Sequence, residues 1–168
     1  RDRSPSRGLG DVYKRQTYSG VYREAEIKKL LNEGVVLTMD TDFYYGAWNH
    51  RKSEELGIPR NMDHWYKGIV GYPVPGSVDA TNSRREPAGH SILIVGYDDQ
   101  KEVKIPTKMQ SGKTEIKTYK GVYYFKNSWG TTGFGSQFEI NGVSYPGYGM
   151  ITQDYAHEYG SFYTMSLE

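Results

Sequence analysis

Apolar positions along this chain change period from helical to strand-like. In residues 24–33, EAEIKKLLNE, the apolar Ile27, Leu30 and Leu31 recur at helical spacing, Glu24 and Glu26 come early, and Gly34 follows. Acidic residues in a first turn and a glycine behind the last one mark the two ends of a helix. A short amphipathic helix is predicted here. Val35 to Asp40, VVLTMD, is a β-branched run and predicts a buried strand. His90 to Tyr97, HSILIVGY, and Gly121 to Lys126, GVYYFK, predict two more strands, with Gly96 as a candidate bulge. Gly147–Thr152 and Phe162–Leu167 are further strand candidates. The latter alternates Phe162, Thr164 and Ser166 against Tyr163, Met165 and Leu167.

Two long connections separate these segments. Residues 42–89 carry Pro59, Pro73, Pro75 and Pro87 among many aromatics and read as extended loop with local turns. Residues 98–119 are polar and lysine-rich, with Pro106 and a Ser111-Gly112 turn, and read as a solvent-facing loop. One helix followed by about five strands, without regular alternation, predicts an antiparallel α+β fold.

Composition narrows the function. The 16 Tyr and 20 Gly suit a sheet with many turns. A balance of 21 Lys+Arg against 20 Asp+Glu excludes a generally basic nucleic-acid binder. No stretch reaches the roughly 18 consecutive apolar residues of a membrane-spanning helix, so no membrane span is expected. The chain contains no cysteine, which excludes a disulfide framework, a thiolate metal site and a cysteine nucleophile within it. Residues 1–16, RDRSPSRGLGDVYKRQ, carry a charge of +3 and no periodic apolar pattern. They resemble translated adaptor sequence and are expected to be a disordered, non-native leader, leaving residues 17–168 as the folded part.

Candidate chemistry comes from the two strongest strands. Consecutive apolar strands joined by a polar connection pair antiparallel by default. In such a ladder, setting Tyr97 against Lys120 brings His90 opposite Asn127, with the register free to differ by a residue or two. Histidine exchanges a proton near neutral pH, and an asparagine carbonyl can orient its ring without adding charge. Trp129, two residues on, offers an apolar face to shield that contact. Ala88 and Gly89 leave room before His90 for a substrate backbone.

Three blocks carry a resemblance. They are Gly89-His90-Ser91-Ile92-Leu93-Ile94-Val95-Gly96-Tyr97-Asp98, then Tyr123-Tyr124-Phe125-Lys126-Asn127-Ser128-Trp129-Gly130, then Gly147-Tyr148-Gly149-Met150-Ile151. In order and spacing they resemble the histidine and asparagine regions of papain-like cysteine peptidases, over roughly residues 24–167. The resemblance implies the sheet-rich right-hand lobe of that fold, an antiparallel sheet or barrel with short helices, the helical N-terminal lobe being absent. It implies a general base at His90, an orienting residue at Asn127 and a shielding indole at Trp129. It also implies a peptide or protein substrate and no metal or organic cofactor.

The departures matter equally. The family's cysteine lies about 130–150 residues before its histidine and asparagine, which falls before Arg1. The expectation is a chain cut off upstream, lacking the nucleophile and the lobe that bears it, and inactive alone. The connection 98–119 and the insert 130–146, GTTGFGSQFEINGVSYP, are longer than in the plainest members, and Phe134-Gly135 stands where a second Trp-Gly is common. In this the chain resembles bacterial branches more than plant ones. A papain-fold binding module without a nucleophile, for peptide or cell-wall material, and a thiol acyltransferase remain alternatives. His50 and His64 are expected to pack in their loop, and Asp40, Asp42, Asp98, Asp99 and Glu102 to be solvated. Phe43, Tyr44, Tyr45, Trp48, Trp65 and Tyr66 either line a cleft or pack an irregular loop.

Overall fold

The computed structural model describes residues 16–167, so the expectation for residues 1–15 falls outside them. Gln16, assigned above to the leader, instead begins a strand and is paired with Leu167. In chain order the elements are β1 (Gln16–Val21), α1 (Glu24–Asn32), β2 (Leu37–Asp42), α2 (Met62–Lys67), β3 (Ile69–Val70), α3 (Val78–Asn82), β4 (Gly89–Lys108), β5 (Thr114–Lys126), β6 (Glu139–Ile140), β7 (Val143–Ser144), β8 (Tyr148–Thr152), α4 (Gln153–Tyr159) and β9 (Gly160–Leu167). Short 3-10 turns occupy Arg51–Ser53 and Ser83–Arg85. The fold is mixed α+β.

Helix α1 forms where the apolar spacing placed it and buries Ile27 and Leu31. It stops because Gly34 takes a φ of 80°. Gly34 N–H then donates to Leu31 O and Val35 N–H to Leu30 O, the paired bonds by which a left-handed glycine satisfies a helix's last carbonyls. The next strand begins later than the β-branched run suggested. Val35 and Val36 are exposed connection, and the inward positions of β2 are Leu37, Met39 and Thr41.

Seven strands form one sheet in the order β1-β9-β2-β4-β5-β8-β3. The neighbours are antiparallel except β3 and β8, which run parallel. The expected antiparallel arrangement holds for every neighbouring pair but β3 and β8, so the sheet is mixed, and its order runs from β1 to β3. β3 follows helix α2 after Gly68 alone, so no hairpin constrains its direction.

The largest correction concerns residues 98–119. They form no loop. β4 and β5 continue into a long hairpin paired from Leu93–Lys126 to Lys108–Thr114. Ser111 and Gly112 make its turn, with Gly112 at φ 87°. The polar composition masked a period of two, in which Val103, Ile105 and Thr107 face inward and Glu102, Lys104, Pro106 and Lys108 face water. Residues 42–89 are likewise not simply loop, since they hold α2, β3 and α3. A second small hairpin, β6–β7, turns on Asn141 and Gly142, both at positive φ, as a two-residue Asn-Gly turn requires.

The core lies between the sheet's inner face and the segment 43–58. Trp48, Tyr123, Phe125, Phe134 and Tyr155 are its largest buried side chains, joined by Leu37, Met39, Ile94 and Ile151. Phe43, Tyr44, Tyr45 and Trp48 are buried as well, so packing holds for these four, while Phe43 and Tyr44 also border a surface hollow beside Ala88. Trp65 is half-buried and Tyr66 exposed.

Candidate active site

His90, near the start of β4, and Asn127, just past the end of β5, meet at one rim of the sheet. The last recorded pair of that ladder is Leu93 with Lys126. Continued by one residue, this register sets Asn127 across from Ile92 rather than His90, a shift of two from the expected pairing. The shift arises inside the hairpin, where the ladder breaks register between Ile94 and Gly96 and again between Asp98 and Glu102. Gly96 therefore does mark a bulge. A slip of two keeps every side chain on its face, whereas a slip of one would have sent His90 and Asn127 to opposite sides.

The two side chains touch, with His90 Nε2 lying 2.8 Å from Asn127 Oδ1. The same Oδ1 accepts the backbone N–H of Ser128 at 2.9 Å. That second bond decides the first: the atom facing Ser128 N–H must be the oxygen, so His90 Nε2 must carry its proton and donate. In the neutral ring, Nδ1 is then the basic nitrogen. Asn127 Nδ2 is buried with no hydrogen-bond partner among the described residues. The orientation of the amide thus serves two donors to its oxygen and leaves its own nitrogen unpaired.

Trp129 lies over the ring. Its indole and the imidazole are stacked with centroids 4.7 Å apart and planes 23° from parallel. Trp48 and Phe43 meet the imidazole edge-on at 5.3 and 5.9 Å. Gly130, at φ 75°, turns the chain after Trp129. This apolar surround holds the proton affinity of His90 below the usual histidine value of 6.5, chiefly by burial, while the bond to Asn127 pulls it up.

On its open side His90 lines a cleft of about 510 Å³ with Asp40, Thr41, Asp42, Gly89, Ser91, Tyr159 and Ser161. Gly89 and Ala88 are exposed. Ala88 borders an adjoining hollow of about 310 Å³ that also includes Asp42 and Tyr159. Gly89 therefore shares the cleft with the imidazole, Ala88 lies in the adjoining hollow, and Ala88 O is anchored by the N–H of Phe43 at 2.9 Å.

The remaining candidates have ordinary partners. His50 Nδ1 accepts Lys52 N–H at 3.1 Å and caps the first 3-10 turn. His64 belongs to α2, which Asn61 caps by accepting its N–H. Asp40 accepts from Ser91 and Asp98 from the backbone of Gln100 and Lys101. Asp99 pairs with Lys28. Among the described residues no three His, Cys, Asp or Glu side chains gather as a metal site would require.

Sequence reasoning passed over Phe43, Trp48 and Trp65 as individual contributors to this site, and Tyr155 as the post behind it. Tyr155 is fully buried, and its hydroxyl donates to Asp42 O and accepts from Tyr44 N–H and Trp48 Nε1–H. The signal for α2 was present in Asn61 and Gly68, a capping side chain and a left-handed stop bracketing six residues. No model of a known protein family matches this chain, and no curated protein matches it.

Proposed function

We propose that this chain is the base-bearing part of a papain-like cysteine peptidase whose thiol comes from a segment outside these 168 residues. The observation that carries the reading is the His90–Asn127 hydrogen bond, its direction set by Ser128 N–H and its face covered by Trp129. The chain itself has no cysteine, so in this reading the thiol is supplied by a lobe outside it.

The chemistry follows from that geometry. His90 takes the thiol proton on Nδ1 while Nε2–H stays bonded to Asn127, so the ring becomes an imidazolium without turning. The thiolate adds to the peptide carbonyl, and collapse of the adduct breaks the C–N bond. His90 then returns its proton to the departing amine, leaving a thioester. Water, deprotonated by the same nitrogen, cleaves the thioester and restores the thiol. Asparagine suits this cycle because its dipole favours the imidazolium moderately. An aspartate would bind the proton harder and make His90 a poorer acid. The exposed backbone at Ala88 and Gly89 supplies a ledge for the peptide beside the base.

The test uses the chain alone and the chain joined to the preceding part of its reading frame. With a fluorogenic peptide the 168-residue chain should give no turnover, and the extended protein should give turnover abolished by thiol alkylation. His90→Ala in the extended protein should lower kcat by a factor of about 10³ or more. Full turnover by the short chain, or an extended protein with Ser, Gly or Ala where the nucleophile belongs, would overturn the reading. Transfer of the acyl group to an added amine in preference to water would assign the same chemistry to an acyltransferase.

A further inference from the structure

The stack over His90 does not end at Trp129. The same indole is stacked with Trp65, with centroids 5.8 Å apart and planes 24° from parallel. The guanidinium of Arg60 in turn sits 5.5 Å from the Trp65 ring centre. Ring contacts therefore run from His90 through Trp129 and Trp65 to Arg60, and two of these four residues come from the stretch 60–65.

That stretch is held in an unusual way. Helix α2 contains no fully buried residue, so burial alone does not locate it. Its backbone is clamped instead. Asn49, buried and at φ 52°, accepts Asn61 N–H through Oδ1 and Arg60 Nε–H through its backbone oxygen, both at 2.8 Å. Trp65 O accepts Gly135 N–H at 2.9 Å, and Tyr66 O accepts Gln137 N–H at 2.8 Å. A non-glycine residue in the left-handed region carries a backbone cost that its surroundings must hold in place. Here what it secures is the position of a half-buried ring.

We infer that Trp65 is a positioning residue for His90: by backing the Trp129 indole it keeps that indole flat on the imidazole and keeps water from the His90–Asn127 bond. The inference deepens the peptidase reading and rests on it for its purpose. Its geometry, however, can be tested without any turnover. Offset-stacked rings restrain one another's tilt. With its outer face open, Trp129 can rotate away, and the imidazole then gains water and loses its enforced plane. The charged and titratable groups near the stack are Arg60 behind Trp65, His50 beside Trp129 at 5.9 Å, and Asp40 and Asp42 in the cleft.

The experiment is a pH titration of the 168-residue chain labelled at histidine and followed by NMR, comparing wild type with Trp65→Leu and Trp65→Phe. In Trp65→Leu the His90 midpoint should rise by about half a unit or more as the ring becomes solvated, and its Nε2 proton should exchange faster with water. Trp65→Phe, which keeps an aromatic backing, should recover most of both effects. His157, bonded to Tyr123 at a different part of the sheet, is the internal reference and should not move. An unchanged His90 midpoint and exchange rate in Trp65→Leu, with His157 unchanged, would overturn the inference. If Trp65→Leu does not fold, Trp65→Phe decides alone, through a small rise of the same sign against none. Failure here leaves the peptidase reading standing, and failure of the hydrolysis assay leaves this result intact.

Discussion

Asn127 Oδ1 receives both the Nε2 of His90 and the backbone N–H of Ser128, at 2.8 and 2.9 Å. One oxygen accepting twice leaves the imidazole a single tautomer, so a backbone amide outside the candidate pair determines which ring nitrogen is the base. Asn127 also has its own N–H bonded to Gly147 O, which ties the amide to the chain entering β8. The protonation pattern of the site is therefore a property of two neighbouring strand ends.

Asn127→Leu keeps most of the bulk and removes the acceptor. The bond it deletes favours the charged imidazole, so the His90 midpoint should fall further below its ordinary value. Histidine-selective ¹⁵N spectra should change from one neutral tautomer to a mixture. A midpoint that stays put would show that the contact contributes nothing to the protonation of His90.

Tyr155→Phe tests the buried post. Removing one hydroxyl strands Tyr44 N–H and Trp48 Nε1–H together, while Asp42 O keeps the Thr41 hydroxyl as a donor. Buried groups left without partners cost about 1–3 kcal/mol each, so the chain should lose about 2–6 kcal/mol in a denaturant titration. A loss under about 1 kcal/mol would mean that water replaces the hydroxyl.

Gly135→Ala tests the tightest backbone approach. Gly135 has φ 67°, and a Cβ there would collide with the carbonyl oxygen of Tyr148. Neither partner is a flexible side-chain end, so the cost should be about 3 kcal/mol or more. Because Gly135 N–H holds Trp65 O, the Trp65–Trp129 stack should loosen at the same time, seen as a change in near-UV circular dichroism.

The four histidines set a pH dependence. His50, His64, His90 and His157 all have their proton affinity lowered, each chiefly by burial. A base whose folded value lies below its unfolded one leaves the unfolded chain holding more protons between the two values. The stability each contributes is thus complete above about 6.5, the ordinary value, and is lost as pH falls through the window beneath it. Asp79 runs the other way, since burial raises its carboxyl and favours the folded chain at lower pH. With four groups against one, Tm should be lower at pH 5 than at pH 7.5. An equal or higher Tm at pH 5 would contradict this balance.

Much of the site was legible from local pattern. The α1 helix, the strand starting at His90 and the strand ending at Lys126 each show their own period, and antiparallel pairing then brings His90 and Asn127 to one edge. The hairpin 98–119 was misread because lysines and a proline dominate its composition. Its alternation of Val103, Ile105 and Thr107 with exposed neighbours was nonetheless present. Trp65 was weighed only as one of a cluster of six, since nothing near it in sequence points to a ring 64 positions later.

The amino-acid order alone determined the strands that begin at His90 and end at Lys126, that a histidine and an asparagine lie at their ends, and that the 168 residues hold no cysteine. Those are consequences of side-chain chemistry and of periods two and 3.6, which are local. The tertiary structure alone decided the register offset of two, the proton on Nε2 and the stacking of Trp129 with both Trp65 and His90. Each of these depends on backbone groups meeting across long loops, where bulges and left-handed residues add small offsets that no local pattern records.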